Sequence, residues 1–351
     1  MSNTNIKKTK VAIIGTGIFA KKAHLPSLTD SPYFEPVACF NRTTSKAEEF
    51  AGLSTPALKV YQEFDDAFRD PEVDLVDVLL PVQYNLEAVE KAVKYGKNVV
   101  IEKPIAANLD QARQIVRLAK ENPKVLVAVN EHWVYLKAVT ELKAAIAKIG
   151  TVVGFNYHST GSFNFNNQYL STSWRQNPEH IGGFLSDGGV HQLALLTSVL
   201  GNVEALNART VQVRPQSGDV DVVWALCKMA SGVVGSFNYG SAFGNKEKKG
   251  FFEILGDNGS VYYDFSPATG NRFVVRTGGH TAGDEKTEEE VLIKDEFWST
   301  AREFEKLGRE LHGEPGSVVC WPEVAFHHLA IVDAMLRSSK TDAATVQVAL
   351  P

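Results

Sequence analysis

A short apolar run that ends in a glycine-rich turn constrains this chain most. Residues 10–20 read KVAIIGTGIFA, so four apolar residues lead into Gly15, Gly17 and Ala20. This pattern is typical of a β-strand, a tight turn and the start of a helix. Gly15 permits the turn, Gly17 lets a pyrophosphate approach the backbone, and Ala20 lets the helix pack closely. The turn predicts an anion site at a helix N-terminus, although glycine pairs after strands also occur in turns that bind nothing.

The length and composition of the chain set its broad class. Its 351 residues exceed what one ordinary core holds, so we expect two domains. A hydrophobic fraction of 44% and a net charge of −5 are typical of a globular protein and predict neither nucleic acid nor membrane as a partner. The three cysteines form no C-x-x-C pair, and no apolar leader or spanning run is present. These features predict a cytoplasmic protein.

Strand-like and helix-like segments alternate through the first part of the chain. After the first strand, strands are predicted at 36–40, 74–80, 98–101 and 125–129, and helices at 86–95 and 109–120. We expect a helical stretch interrupted near Pro26, Asn85 and Asn108 as helix caps, and Gly96 as a left-handed helix end. This alternation predicts an α/β Rossmann domain with a doubly wound parallel sheet over residues 1–131.

The residues after the second predicted strand bear on the choice of cofactor. A Rossmann fold places its ribose-reading residue about 20 positions beyond the glycine turn, and no carboxylate stands there to bind the 2′-hydroxyl of NAD. The residues present suit a 2′-phosphate, with Arg42 stacking or forming a fork and Lys46 adding charge. The stretch could equally be a solvated loop that opens a helix at Ser45. The composition favours NADP(H) over NAD.

The fourth strand end carries a lysine. Residues 98–101 run directly into Glu102, Lys103 and Pro104. Ligands of parallel sheets bind beyond the carboxyl ends of the strands, so a lysine held there by a proline can reach a cofactor crevice. A surface lysine after an edge strand fits the same spacing.

The pattern changes in the second half. Long alternating stretches from residue 152 onwards predict a C-terminal α+β domain with a large, mainly antiparallel open sheet. We assign 132–351 to this domain. A helix is predicted at 131–149 and two more at 296–312 and 322–338, and the acidic stretch 284–290 is expected to be a mobile surface loop.

One predicted helix of the second half, 187–200, carries a carboxylate and an imidazole. Asp187 and His191 are four residues apart and therefore share a helix face. Gly188 and Gly189 between them would leave that face open to a bulky group. A carboxylate beside a histidine sets its tautomer for proton transfer. The alternative is a capping Asp and a core His. A third metal ligand is not evident, so we predict no metal.

These motifs occur together in a known family. The turn at 15–20, the Glu102–Lys103–Pro104 tripeptide and the Gly183…Asp187…His191 helix resemble, in order and separation, the glucose–fructose oxidoreductase/inositol dehydrogenase/rhizopine catabolism (Gfo/Idh/MocA) family. The similarity covers nearly the whole chain and looks closest to a yeast-type fungal NADP(H)-dependent member. It implies that the C-terminal α/β domain binds substrate and carries a sheet that often forms the oligomer interface, hence a homodimer or tetramer.

The resemblance also implies roles for matched residues. Lys103 would polarise the reacting oxygen near the nicotinamide, while His191 and Asp187 would handle the hydroxyl proton. The expected cofactor contacts are Gly15, Thr16, Gly17, Ile18, Phe19, Asn41, Arg42, Lys46, Leu80, Pro81, Asn85, Glu102, Lys103, Trp174 and Arg175. The family's Asn-x-Arg-aromatic stretch reads NEHW at 130–133 here, so Arg175 could instead supply the charge that contacts substrate.

The sequence therefore predicts an NADP(H)-dependent oxidoreductase that acts on a hydroxyl or carbonyl group of a small polar molecule, such as a sugar or polyol. Two alternatives are a nucleotide-sensing transcriptional co-repressor of the same fold and a reductase of a C=N or C=C bond. The joint presence of Lys103, Asp187 and His191 argues against the regulator, because a regulator needs none of them.

Overall fold

A computed structural model describes residues 7–170, 172–279, 281, 283–293 and 299–351. The described chain forms two compact units. The first contains residues 7–135 and 299–326, and the second contains 136–293 and 327–350. The segment 299–326 thus packs with the first unit, although the sequence assigned it to the second domain.

The first unit is built on a parallel six-stranded sheet. Its spatial order is β3-β2-β1-β4-β5-β6. The order in which the chain adds strands therefore reverses between β1 and β4, although these two strands are parallel. The strands are β1 Thr9–Ile14, β2 Phe34–Phe40, β3 Lys59–Val60, β4 Leu75–Val78, β5 Asn98–Glu102 and β6 Val127–Asn130. This arrangement confirms the doubly wound Rossmann domain, whose ligands bind at the carboxyl ends of the strands.

Helices connect and cover these strands. They are α1 Leu25–Asp30, α2 Thr44–Ala51, α3 Asp66–Arg69, α4 Asn85–Tyr95 and α5 Leu109–Glu121. The expected ends of two helices are confirmed: Gly96 follows α4 with φ 64°, and Asn108 caps α5 by accepting a hydrogen bond from the Gln111 N–H at 3.0 Å.

The first helix is not interrupted near Pro26. A π-helical turn, Ala20–His24, leads directly into α1, and the Leu25 N–H donates to the Ala20 carbonyl. Proline has no N–H to donate, so a wider turn before Pro26 forfeits no hydrogen bond at that position. The turn leaves His24 fully buried.

The C-terminal segment completes the core of the first unit. Its helix α9, Thr300–Leu311, places the fully buried Phe304 edge-on to Phe34 of β2, with ring centroids 5.9 Å apart. Burial of one such side chain contributes about 2 kcal/mol. The first residues of the predicted helix 296–312 lie outside the described part of the chain.

The second unit contains a nine-stranded sheet. Its order is β14-β13-β12-β11-β7-β10-β9-β8-β15, in which β7 and β10 are parallel and the other neighbours antiparallel, as predicted. The strands are β7 Val152–Ser162, β8 Val203–Val211, β9 Val222–Met229, β10 Val234–Phe243, β11 Lys249–Gly256, β12 Gly259–Asp264, β13 Arg272–Thr277, β14 Thr287–Leu292 and β15 Val346–Gln347. Its helices are α6 Lys137–Ile146, α7 Ser173–Gln176, α8 Gly183–Leu200 and the greater part of α10 Pro322–Lys340.

The acidic stretch 284–290 is not simply a loop, because most of it belongs to β14. This strand pairs with β13, and Arg276 Nε donates to Glu288 Oε2 at 2.7 Å across the pair. The acidic side chains therefore support an edge strand through cross-strand ion pairs. Among the described helices, none has the length and apolar composition that a bilayer span requires.

Candidate functional site

The glycine turn lies at the carboxyl edge of the parallel sheet. Gly15 has φ 95°, and a Cβ there would stand 2.5 Å from the carbonyl oxygen of Leu79, so the position accepts only glycine. At Gly17, no atom of the described residues lies within 4 Å of where a Cβ would stand. The turn thus leaves open space beside its backbone, which is what close approach of a pyrophosphate requires.

The loop after β2 is tied to this turn. Asn41 Nδ2 donates to Thr16 Oγ1 at 2.8 Å, and Asn41 Oδ1 accepts from the Thr43 N–H at 2.9 Å. The side chains of Thr16 and Asn41, which are both expected to contact the cofactor, are therefore hydrogen-bonded to each other. Arg42 and Lys46 are exposed, and within the described part of the chain neither forms an ion pair, so both cations are available to a bound anion.

Asn85 is not a helix cap. It is the first residue of α4, it is fully buried, and its Nδ2 donates to the carbonyls of Glu102 at 2.9 Å and Pro104 at 3.1 Å. The Lys103 N–H donates to the Asn130 carbonyl at 3.3 Å. The backbone at Lys103 and on both sides of it is therefore anchored to helix α4 and to strand β6.

Glu102 turns its carboxylate to a partner that the sequence did not suggest. Its Oε1 lies 3.0 Å from His24 Nε2, and His24 Nδ1 lies 2.8 Å from Asp77 Oδ2. Burial disfavours the charged imidazole, but Asp77 and Glu102 outweigh it and raise the pKa of His24 to about 10. One signal for this group was available: Asp77 is a carboxylate within an otherwise apolar predicted strand.

The structure brings the expected cofactor contacts of the first unit to one sheet edge. Ile18 and Phe19 open the helix after the turn, and Leu80 and Pro81 follow β4. Trp174 and Arg175 belong to the second unit.

Helix α8 carries Asp187 and His191 one turn apart. It begins at Gly183, after Gly182 with φ 72°, which is four residues earlier than predicted. Asp187 therefore stands in the second turn and is not the helix cap. The side chains of Asp187 and His191 lie on one side of the helix, as their spacing predicted.

The glycine face between them is filled by the protein itself. A Cβ on Gly188 would stand 2.3 Å from Oη of Tyr239, which comes from β10. The Tyr239 ring stacks on Phe184 with centroids 5.7 Å apart and an interplanar angle of 6°. The bulky group that the glycines admit is, at Gly188, the side chain of Tyr239. Burial, and then the carboxylate of Asp187, raise the pKa of Tyr239.

Arg175 contacts Asp187. Arg175 Nε donates to Asp187 Oδ2 at 2.7 Å, and the guanidinium lies 4.0 Å from the Trp174 ring centroid. The structure thus joins three of the predicted site residues in one cluster of the second unit, a connection that the sequence did not predict.

Comparisons with known proteins find similarity over nearly the whole chain. The profile described as "Oxidoreductase family, NAD-binding Rossmann fold" matches residues 9–131, and the one described as "Oxidoreductase family, C-terminal alpha/beta domain" matches 143–348. The uncharacterized protein YMR315W of Saccharomyces cerevisiae is 46% identical over 347 residues, which cover 97% of this chain and 99% of that protein. A dTDP-3,4-didehydro-2,6-dideoxy-alpha-D-glucose 3-reductase of Streptomyces violaceoruber is 27% identical over 77% of this chain and 78% of its own.

Solved structures have the same fold. An oxidoreductase from Thermotoga maritima superposes with a TM-score of 0.86 at 30% identity, covering 97% of this chain and 99% of that one. Levoglucosan dehydrogenase in complex with NADH and L-sorbose has a TM-score of 0.81 at 20% identity, with 98% and 99% covered. The chain therefore belongs to the Gfo/Idh/MocA family of oxidoreductases, with an NAD-binding Rossmann domain and the family's C-terminal α/β domain.

Proposed function

We propose that this protein is an NADP(H)-dependent oxidoreductase acting on a hydroxyl or carbonyl group of a small polar molecule, in the sugar or polyol class. The observation that carries the proposal is the anchoring of Lys103 at the carboxyl edge of the sheet. Asn85 holds the carbonyls before and after Lys103, and the Asn130 carbonyl accepts a hydrogen bond from the Lys103 N–H. A cation that stabilises charge on a reacting oxygen must be fixed in this way before the reaction begins.

Each proposed residue has one task. The nicotinamide, when bound, supplies or accepts the hydride at its C4 position. Lys103 donates a hydrogen bond to the reacting oxygen and stabilises its alkoxide character. His191 takes the hydroxyl proton during oxidation and returns it during reduction, and Asp187 orients the imidazole. Arg175 in turn fixes the Asp187 carboxylate.

The preference for NADP(H) rests on the loop after β2. The exposed Arg42 and Lys46 make no ion pair in the described part of the chain, and no carboxylate follows β2 to bind a 2′-hydroxyl. The substrate class is supported by two relatives, since one is named as a sugar nucleotide reductase and another was solved with L-sorbose.

We also propose a homodimer or tetramer formed through the sheet of the second unit. One face of β9 exposes Trp224 (46%) and Leu226 (52%), and Val234 of β10 and Leu255 of β11 are exposed on the same face of the sheet. Covering such large apolar side chains favours association. The three cysteines are unpaired and buried, which suits the reducing cytoplasm.

Fluorescence titration with NADPH and NADH, followed by turnover assays on sugars, polyols, aldehydes and ketones, tests the function. We expect tighter NADPH binding, and a loss of turnover of about a thousandfold in Lys103→Ala but not in Lys94→Ala, an exposed lysine of α4. Tight binding without turnover across the panel would favour the nucleotide-sensing co-repressor.

A further inference from the structure

We propose that His24 is a positioning residue for Lys103. Its buried imidazole clamps the carboxylate of Glu102, the residue immediately before Lys103, and so sets the direction from which the lysine side chain leaves the sheet. This inference rests on the role proposed for Lys103 and adds a residue that acts on it through Glu102.

The hydrogen bonds of His24 require a charged ring. Nδ1 faces Asp77 Oδ2 at 2.8 Å and Nε2 faces Glu102 Oε1 at 3.0 Å. Because each partner is a carboxylate, each nitrogen must carry a proton, which makes the ring an imidazolium. The side chains of His24 and Asp77 are fully buried, so water does not compete for their contact, and the Glu102 side chain is only 15% exposed.

A few hydrogen bonds and one peptide bond connect His24 to Lys103. His24 fixes the Glu102 side chain, and Asn85 Nδ2 fixes the Glu102 carbonyl at 2.9 Å. On the other side, Asn130 accepts from the Lys103 N–H and donates from Nδ2 to Asp77 Oδ1 at 3.3 Å. Asp77 therefore links the imidazolium to Asn130, and the backbone at Lys103 has little freedom left.

The surroundings of His24 shield its ring from water. Phe19 and Phe304 both meet the ring edge-on, each at 5.1 Å between centroids. Burial, and then the charge of Glu102, raise the pKa of Glu303 on α9 well above its usual range, which favours the neutral form of this neighbour.

A role in positioning Lys103 accounts for the clamp better than a contribution to folding stability does. A buried ion pair gains little net stability, because desolvation of both charges offsets their attraction. Its directional hydrogen bonds do specify one arrangement of the groups they join. The π-turn that delivers His24 is itself of a kind that is frequent at functional sites.

The test compares three substitutions in the full chain. His24→Gln keeps a hydrogen-bond donor but removes the charge and the second contact, and Glu102→Gln weakens the clamp from the other side. His312→Gln is the matched control. His312 contacts Thr9, the first residue of β1, whereas the glycine turn follows the other end of that strand. We expect kcat to fall about ten- to a hundredfold in the first two, with NADPH affinity within about twofold of the wild type in His24→Gln.

A double-variant cycle separates positioning from general damage. If His24 acts through Lys103, adding His24→Gln to Lys103→Ala lowers kcat no further. Independent, multiplicative losses in the double variant would overturn the proposal. Should His24→Gln fail to fold, Glu102→Gln carries the same cycle.

A second readout needs no turnover. Competitive acetylation with acetic anhydride, read by mass spectrometry, compares the reactivity of Lys103 with that of Lys94 in each variant. We expect the relative reactivity of Lys103 to change at least about threefold in His24→Gln and Glu102→Gln and to stay constant in His312→Gln. Unchanged Lys103 reactivity in both variants would refute the positioning role. A wild type without turnover would refute only the proposed function.

Discussion

The guanidinium of Arg175 donates from Nε to Oδ2 of Asp187 across 2.7 Å. Both side chains are partly buried, with exposed fractions of 25% and 17%, and the Trp174 ring covers the guanidinium at 4.0 Å. A charge-assisted hydrogen bond in this setting holds the carboxylate in one orientation. Any effect of Asp187 on His191, one turn further along α8, therefore depends on Arg175.

The first prediction is that Arg175→Lys lowers kcat about tenfold. Lysine keeps the charge but loses the planar Nε donor, and a hydrogen bond to a charged group is worth about 1.5–3 kcal/mol, of which partial exposure leaves the lower end. Steady-state kinetics against Arg209→Lys, which changes an exposed ion pair with Asp342, provide the comparison. Equal kcat in both variants would show that Asp187 needs no such support.

The second prediction concerns Gly188 and Tyr239. Alanine in a helix interior normally stabilises by about 1 kcal/mol relative to glycine. At Gly188, however, the new Cβ would stand 2.3 Å from Tyr239 Oη, so we expect a net loss of about 1–3 kcal/mol. Thermal unfolding of Gly188→Ala measures it.

Tyr239→Phe is the internal control for this prediction. Without Oη, the nearest atom to the new Cβ is Tyr239 Cζ at 3.5 Å, an ordinary van der Waals distance. Gly188→Ala should therefore be neutral or stabilising in the Tyr239→Phe background. A loss of the same size in both backgrounds would mean that the Oη contact is not its cause.

The third prediction is that Arg42→Asp weakens NADPH binding about ten- to a hundredfold while leaving NADH binding nearly unchanged. The substitution removes a donor to the 2′-phosphate and places a carboxylate where one can accept from a 2′-hydroxyl. Fluorescence titration measures both affinities, with Lys94→Asp as the charge-matched control. Parallel losses for the two cofactors would refute the proposed reading of this loop.

The sequence predicted those parts of the fold that local patterns determine. The apolar run before Gly15 and the caps at Gly96 and Asn108 each depend on residues only a few positions apart, and the structure confirms them. The same is true of the Asp187–His191 spacing on α8.

Contacts between residues that are far apart in the sequence could not be predicted from local patterns. His24 meets Asp77 and Glu102 from 53 and 78 positions away, and Phe304 reaches the first core from the far end of the chain. Asn85 misled for a related reason: it looks like a helix cap locally, but the buried carbonyls after β5 take its amide instead. Satisfying buried polar groups overrode the local preference.

The last prediction concerns acid stability and His327. The ring is buried, and its Nε2 accepts a hydrogen bond from the Val203 N–H at 3.1 Å, so it is held in the neutral form. Burial lowers the pKa of His327 to about 4, against 6.5 for the ordinary group. Between these values the unfolded chain binds more protons than the folded one. The contribution to stability is therefore present above pH 6.5 and is lost as the pH falls towards 4, on the order of 3 kcal/mol in full.

His327→Gln isolates this term, because its Oε1 can accept from the Val203 N–H and does not titrate. We expect the melting temperature of the wild type to fall more steeply than that of His327→Gln between pH 7.5 and 4.5. His312→Gln, which alters a half-buried ring in the other unit, should follow the wild type. If wild type and His327→Gln lose the same number of degrees, protonation of His327 does not drive the acid transition, and the carboxylates that are paired in the folded chain become its source.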